Sequence, residues 1–182
     1  MDIPEFKPFD KVARWSRPVV VTEKIDGTNG VIWISDGGTA ILAGSRNQWL
    51  LPNQKDNFGF ARWVAENQVE LFKLGPGYHY GEWWGSGIQR GYGLKNGEKR
   101  FSLFNTARWG KERPACCSVV PELFSGPIDN TQIESLLSHL EMYGSRAAPG
   151  FMRPEGIVIF HEASRTLFKK TIKGDESFKG AV

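Results

Sequence analysis

A short apolar segment that leads into a lysine and a tight turn constrains this chain most. Valines occupy positions 19–21, Glu23-Lys24 follows them, and Asp26-Gly27 comes directly after. β-Branched residues favour a strand, and Asp-Gly between two apolar runs is typical of a hairpin turn in which glycine supplies a positive φ. The pattern predicts that Lys24 lies at the edge of a sheet, in a fixed position.

A lysine held in this way can be a nucleophile if desolvation or a nearby cation favours its neutral amine. The alternative is a solvated lysine before an ordinary hairpin. The tetrapeptide Lys24-Ile25-Asp26-Gly27 is too short to decide between the two. Whether Lys24 is a nucleophile therefore depends on whether the rest of the chain supplies residues that could bind its substrate and assist its reaction.

Composition narrows the class of protein. The 182 residues include 40% hydrophobic residues and carry a net charge of +3, which suits one globular domain and permits a polyanionic partner without requiring one. Adjacent Cys116 and Cys117 form no disulfide framework, and the three histidines fit no metal-ligand spacing. No leader or membrane span is predicted, so we expect a cytoplasmic protein.

Hydrophobic periodicity predicts an α+β fold with mostly antiparallel sheet. Strands are expected at 19–23, 30–35, 39–43, 78–84, 100–105, 156–160 and 166–172, with two short ambiguous segments at 119–120 and 123–124. An amphipathic helix is predicted over 58–74. A second helix is expected to begin at a capping box formed by Thr131 and Glu134, and to end before Gly144.

Charged and aromatic residues stand at or near several of these strand ends. They are Arg46, Glu82, Phe104, Glu155 and Lys169. Taken singly, the glutamates are ordinary surface carboxylates, Phe104 is a core residue and Arg46 is half of a surface ion pair. Their order along the chain gives them more weight.

This order resembles the covalent nucleotidyltransferase superfamily of ATP-dependent polynucleotide ligases and mRNA capping enzymes. The segment from Glu23 to Asn29 most resembles the RNA ligase branch typified by the second RNA ligase of T-even bacteriophages. In that family Lys-x-Asp-Gly is motif I, Gly-Glu is motif III, a phenylalanine-bearing strand is motif IIIa, Glu-Gly-Ile is motif IV and a lysine-bearing strand is motif V. The corresponding segments span about residues 22 to 173 here.

The resemblance implies a nucleotidyltransferase (adenylation) fold, ATP-grasp-like, with helices flanking the sheets. It also implies that Lys24 attacks the α-phosphorus of ATP to form lysyl-AMP. Glu155 would hold Mg²⁺ or Mn²⁺, because hard cations prefer carboxylate oxygen. Lys169 would contact the α-phosphate.

The resemblance places further residues in the ATP site. Glu82 would accept hydrogen bonds from the ribose hydroxyls, Phe104 would stack on adenine, and Glu23 would contact the adenine amino group through its backbone or side chain. Asn29 and Arg46 would bind phosphates or the 3′-hydroxyl end of the acceptor strand. Asp26 and Gly27 would line the site.

Two departures from the family pattern are visible. Many relatives carry Lys-x-Lys in motif V, but Thr171 follows Lys169 two places on, so Lys170 or Lys173 would have to replace the second lysine. The chain also ends soon after Lys173. We therefore expect residues 1–182 to form a single minimal domain with no appended C-terminal domain, present as a monomer with no protein partner.

A basic and aromatic segment around the glycine-rich loop 85–93 offers a second feature. Its basic residues are Arg62, Arg90, Lys95, Lys99, Arg100, Arg108 and Lys111, and its aromatic residues are Trp83, Trp84, Tyr92 and Trp109. This composition suits either a nucleic-acid surface with phosphate contacts and base stacking or a solvated, hairpin-rich face.

The sequence therefore predicts an ATP-dependent RNA ligase that joins a 5′-phosphate end to a 3′-hydroxyl end. Two alternatives stay open at this stage. One is a minimal ATP-dependent DNA nick ligase, and the other is a degenerate nucleotidyltransferase that only binds nucleic acid.

Overall fold

The described residues form two β-sheets and three α-helices. The computed structural model describes residues 3–12, 14–52, 54–110 and 112–173. One sheet has the order β7-β1-β8-β9, formed by β1 (Pro18–Lys24), β7 (Glu122–Pro127), β8 (Gly156–His161) and β9 (Thr166–Thr171). The other has the order β3-β2-β4-β5-β6, formed by β2 (Thr28–Ile34), β3 (Ile41–Gly44), β4 (Gly77–Gly85), β5 (Lys99–Leu103) and β6 (Cys117–Val119). All pairings are antiparallel except β5 with β6, which confirms the predicted α+β class.

Each sheet buries one face against a helix. Apolar residues of β1 and β8 pack on Ile133, Leu137 and Leu140 of α3 (Asn130–Tyr143). Apolar residues of β2 and β5 pack on Phe60 and Val64 of α1 (Phe60–Glu66). Because successive strand residues point to opposite faces, each sheet keeps a second, helix-free face.

The predicted helix over 58–74 is divided into three pieces. α1 ends at Glu66, α2 (Gln68–Leu71) follows, and a 3₁₀ turn completes it at Phe72–Leu74. Asn67 lies between the first two with φ −108°, and its backbone N–H and side-chain Nδ2 both donate to the Trp63 carbonyl. Asparagine hydrogen bonds of this kind compete with helix continuation, which periodicity alone does not detect.

The start of α3 corrects the predicted capping box. The helix is capped by Asp129, whose carboxylate accepts from the Gln132 N–H, while the Gln132 side chain accepts from the Asp129 N–H. The predicted pair of Thr131 and Glu134 was wrong. Aspartate is at least as good an N-cap as threonine, and the helix begins two residues earlier than predicted.

The largest correction concerns Asp26-Gly27, which forms no hairpin. β1 and β2 lie in different sheets, and this dipeptide is the crossover between them. Gly27 also does not have the predicted positive φ. A Cβ there would lie 2.5 Å from the Trp83 carbonyl oxygen and 2.8 Å from Trp84 Cβ, so glycine is required by the close approach of the crossover to β4.

Within the described ranges, no helix combines the length and apolar character needed to cross a membrane.

Candidate active site

The predicted nucleophile is the last residue of β1, where the strand enters the crossover. Lys24 pairs in register with Gly156, the first residue of β8, and Glu155 immediately precedes that strand. Lys24 Nζ donates to Glu155 Oε2 at 2.5 Å, with side chains 23% and 16% exposed. The sheet thus brings motif I and motif IV together as an ion pair that is still accessible to solvent.

Glu82 lies on the facing strand β4 and reaches the same crossover. One carboxylate oxygen accepts from the Gly27 N–H at 3.1 Å, and the other accepts from Asn29 Nδ2 at 3.3 Å. Burial raises the pKa of Glu82 to about 7, although the Gly27 hydrogen bond and the charge of Lys24 act in the opposite direction. Glu82 is therefore a buried carboxyl that titrates near neutrality beside Lys24.

Arg46 and Asn29 continue this network. Asn29 pairs with Glu82 in the β2–β4 register, and Arg46 Nε donates to Asn29 Oδ1 at 2.8 Å. The chain Arg46–Asn29–Glu82 links an exposed guanidinium to the buried carboxyl. All three were predicted as site residues, and the fold places them in contact.

Two residues of the glycine-rich loop 85–93, Arg90 and Tyr92, form hydrogen bonds with Asp26 of the crossover. Arg90 Nε donates to Asp26 Oδ2 at 2.8 Å, and its guanidinium also donates to the backbone carbonyls of residues 153 and 154. The Tyr92 hydroxyl oxygen accepts from the Asp26 N–H at 2.8 Å, and burial raises the pKa of this phenol. Sequence reasoning missed these positioning roles of Arg90 and Tyr92, because no local spacing connects them with Asp26.

Glu23 is buried in a hydrogen-bond network of its own. It neighbours Lys24 on β1, so its side chain points to the opposite face, where it is 1% exposed. Its carboxylate accepts from Ser145 Oγ at 2.5 Å and from the backbone N–H groups of Arg146 and Ala147 at 2.8 and 2.9 Å. Burial raises the pKa of Glu23, against the effect of these hydrogen bonds. The Glu23 side chain is thus engaged within the protein, and its contact with the adenine amino group, through backbone or side chain, stays a prediction.

The lysines of β9 fall on two faces. Lys169 lies opposite Val158, which lies opposite Thr22, and this places Lys169 on the same face as Lys24. Lys170 lies on the α3 face and its ammonium is 2.9 Å from Glu134. Of the two candidates for the second motif V lysine, Lys170 is therefore directed away from the site. Lys173, exposed just beyond β9, stays a prediction.

Phe104 follows β5 on the helix-free face of the second sheet. Its N–H donates to the Tyr80 carbonyl at 3.0 Å, and its side chain is 41% exposed. This accessibility suits its predicted role in stacking on adenine.

Comparison with known proteins identifies the family. A family model described as RNA ligase matches residues 17–179, which is most of the chain. The chain belongs to the RNA ligase family.

Solved structures of this family share its fold. A Naegleria gruberi RNA ligase mutant with ATP and Mn aligns with a TM-score of 0.61 at 19% identity, and an apo mutant of the same ligase aligns with 0.62 at 18% identity. Each alignment covers 86% of this chain and 50% of the ligase chain, so this RNA ligase-family chain spans about half the length of those proteins. Comparison with curated proteins gives no significant match.

In this RNA ligase-family chain, the aromatic residues around the glycine-rich loop 85–93 do not form a surface on which bases could stack. Trp83, Trp84, Tyr92 and Trp109 are all buried, each no more than 7% exposed. Arg100 lies over the Trp84 ring and pairs with Glu98, and Arg108 lies over Trp109. These aromatic residues are core residues with cationic neighbours, so base stacking on them is excluded.

Proposed function

We propose that this chain is an ATP-dependent RNA ligase domain that forms a covalent AMP intermediate on Lys24. The observation that carries the proposal is the convergence of Lys24, Glu82 and Glu155 on one crossover from three separate strands or strand ends. A protein that only binds nucleic acid has no need for a lysine paired with one carboxylate at a crossover that also carries a second, buried carboxyl group. The family match and the fold shared with ATP-bound RNA ligases support the same reading.

The first step would be attack of the neutral Lys24 amine on the α-phosphorus of ATP. A nitrogen–phosphorus bond forms, the bond from the α-phosphorus to the bridging oxygen breaks, and pyrophosphate leaves with the electron pair. The Lys24 ammonium must lose a proton first, and Glu155, which accepts its hydrogen bond, is the nearest base. Lys169, on the same face, would supply positive charge to the phosphates.

In the second and third steps AMP would pass from Lys24 to an RNA 5′-phosphate, and a 3′-hydroxyl would then attack that phosphorus and release AMP. Arg46, exposed and anchored by Asn29, is positioned to contact the phosphates of the incoming end. Glu82, once ionised, would accept from the ribose hydroxyls, and Phe104 would stack on adenine.

The site offers a divalent cation one protein carboxylate, that of Glu155. No three His, Cys, Asp or Glu side chains in the described part of the chain are grouped as a protein-only metal cage would require. Mg²⁺ and Mn²⁺ are commonly held by one or two carboxylates together with water and phosphate oxygens. Glu155, a carboxylate beside the nucleophile, fits that requirement, and the cation would neutralise charge on the triphosphate.

The test is incubation with α-labelled ATP and Mg²⁺ or Mn²⁺. We expect acid-labile covalent label on the wild type, none on Lys24→Ala, and reduced label on Lys169→Ala. Lys170→Ala is the matched control, since its side chain faces α3, and it should label normally. Unlabelled wild type, or equal labelling of Lys24→Ala, would overturn the proposal. Sealing assays on RNA and DNA ends would then separate RNA ligase from DNA nick ligase.

A further inference from the structure

The helix-free face of the second sheet carries aromatic side chains that the core does not use. Tyr80, Tyr78 and Phe104 are 57%, 56% and 41% exposed. Trp49, half-buried, lies beside them. We call Trp49, Tyr78 and Tyr80 the aromatic row; Phe104, already assigned to adenine, adjoins it.

The row is continuous and approaches the site. Tyr78 and Tyr80 alternate along β4 with buried residues and share the face of Glu82. Their ring centroids are 6.2 Å apart with planes at 11°, and the Trp49 ring lies 6.3 Å from that of Tyr78 with planes at 27°. At the other end, the Phe104 N–H donates to the Tyr80 carbonyl.

Trp49 is fixed by the turn that also carries Arg46. The Ser45 N–H donates to the Gln48 carbonyl at 2.8 Å, and Gly44 pairs with Trp49 across the turn. A Cβ on Gly44 would lie 3.0 Å from the Trp49 ring, so glycine makes room for the indole. One turn thus holds an aromatic ring against Tyr78 and a guanidinium against Asn29.

We propose that the aromatic row is a stacking surface for unpaired nucleobases of the RNA strand whose end reaches Lys24, with Arg46 contacting its phosphates. This inference rests on the proposed function. Exposed aromatic side chains on a sheet bind single strands because every base has a π-face, which gives affinity without strict sequence preference. The row has the exposed rings, the adjacent cation and the continuity with the catalytic face that such binding requires.

A bound protein is the competing occupant of this face. It would have to cover Phe104 and the approach to Glu82 as well, because the row adjoins both. A nucleic-acid strand whose end lies beside Lys24 and Glu82 would extend along the face that carries the row, because Glu82, Tyr80 and Tyr78 follow one another on the same face of β4. The position of the aromatic row therefore favours a nucleic-acid strand over a protein as the occupant of this face.

The experiment measures binding of a fluorescent, 5′-phosphorylated single-stranded RNA by anisotropy, without ATP. Tyr78→Ser and Tyr80→Ser should each weaken binding about tenfold, the loss of one base-stacking contact. Tyr78→Phe and Tyr80→Phe keep the ring and should bind as the wild type does. Tyr143→Ser, which removes an exposed tyrosine from α3, is the control for a general surface effect.

Two further measurements make the result specific. An abasic oligonucleotide should bind wild type and the serine variants equally, because it offers phosphates but no bases. Tyr80→Leu, which keeps apolar volume without the ring, should behave like Tyr80→Ser, and urea unfolding of every variant checks that the fold is retained. Unchanged RNA affinity of the double serine variant, or the same loss with the abasic strand, overturns the inference.

Self-adenylation, measured in parallel without RNA, separates this inference from the proposed function. Normal labelling of Lys24 with no effect of the tyrosine variants on RNA binding would overturn the stacking surface alone. Absent labelling with a clear effect of the tyrosine variants would overturn the ligase proposal and leave the stacking surface standing.

Discussion

Lys24 Nζ lies 2.5 Å from Glu155 Oε2, although the two residues are 131 positions apart in sequence. The contact joins the end of β1 to the start of β8, and both side chains are mostly shielded from water. An ion pair in this setting is worth more than one on the open surface, because neither charge is fully solvated when its partner is removed. The pair fixes the position of the Lys24 amine beside the crossover.

A double-mutant cycle should detect this pair. Lys24→Met and Glu155→Gln are each expected to lower the free energy of unfolding, while the double variant loses less than the sum, with a coupling of about 1–2 kcal/mol. Urea unfolding of the four proteins measures it. Strictly additive single effects would show that the pair does not form in solution.

Glu82 should make stability depend on pH near neutrality. Its folded pKa of about 7 lies above the ordinary value of 4.5, so the folded state binds the proton more tightly than the unfolded state does. The corresponding stability is fully present below pH 4.5 and is lost as the pH rises through 7, by up to about 3 kcal/mol. Above that range the Glu82 contribution is constant.

Unfolding curves of wild type and Glu82→Gln between pH 5 and 8 would measure this effect. Glutamine has no proton to lose, so the variant should lack this part of the decline. The difference between the two curves isolates Glu82 from other titrating groups, including buried Glu23. Parallel curves would contradict the raised pKa.

Gly27 should not tolerate a side chain. In Gly27→Ala the new Cβ would meet the Trp83 carbonyl at 2.5 Å, so the crossover must move away from β4 at a cost of about 1–3 kcal/mol. Adenylation should fall as well, since the Gly27–Glu82 hydrogen bond moves with it. Gly37→Ala, in the chain's other Asp-Gly dipeptide, has its nearest neighbour at 3.8 Å and should be close to neutral. Similar unfolding midpoints for the two variants would contradict the close approach.

Glu23 should act on stability and leave nucleotide selection unchanged. Glu23→Gln leaves one of its three hydrogen-bond donors without an acceptor, at a cost of about 1–3 kcal/mol. Because the side chain faces away from Lys24, preference for ATP over GTP in the adenylation assay should not change. Exposed Glu141→Gln on α3 is the control for stability. A loss of ATP preference would show that the Glu23 side chain does reach the base.

Much of the fold and several contacts of the site follow from local patterns. The apolar, β-branched runs within 19–23 and 156–160 predict their strands, and the spacing of Ile133, Leu137 and Leu140 predicts α3. The order of the motif residues indicated that Lys24, Glu82 and Glu155 belong together, and the structure brings them together. Helix boundaries were less accurate, because Asn67 and Asp129 act through specific hydrogen bonds that periodicity does not contain.

The sequence by itself determined which residues share a face of each strand and which chemistry Lys24 can support. Only the tertiary structure decided that Asp26-Gly27 connects two sheets, that Glu23 is turned into the core and that Tyr78 and Tyr80, rather than the buried tryptophans, are exposed. Side-chain direction follows from a two-residue period and is local. The choice of strand partner depends on contacts between distant segments, whose free energies a short stretch of sequence does not carry.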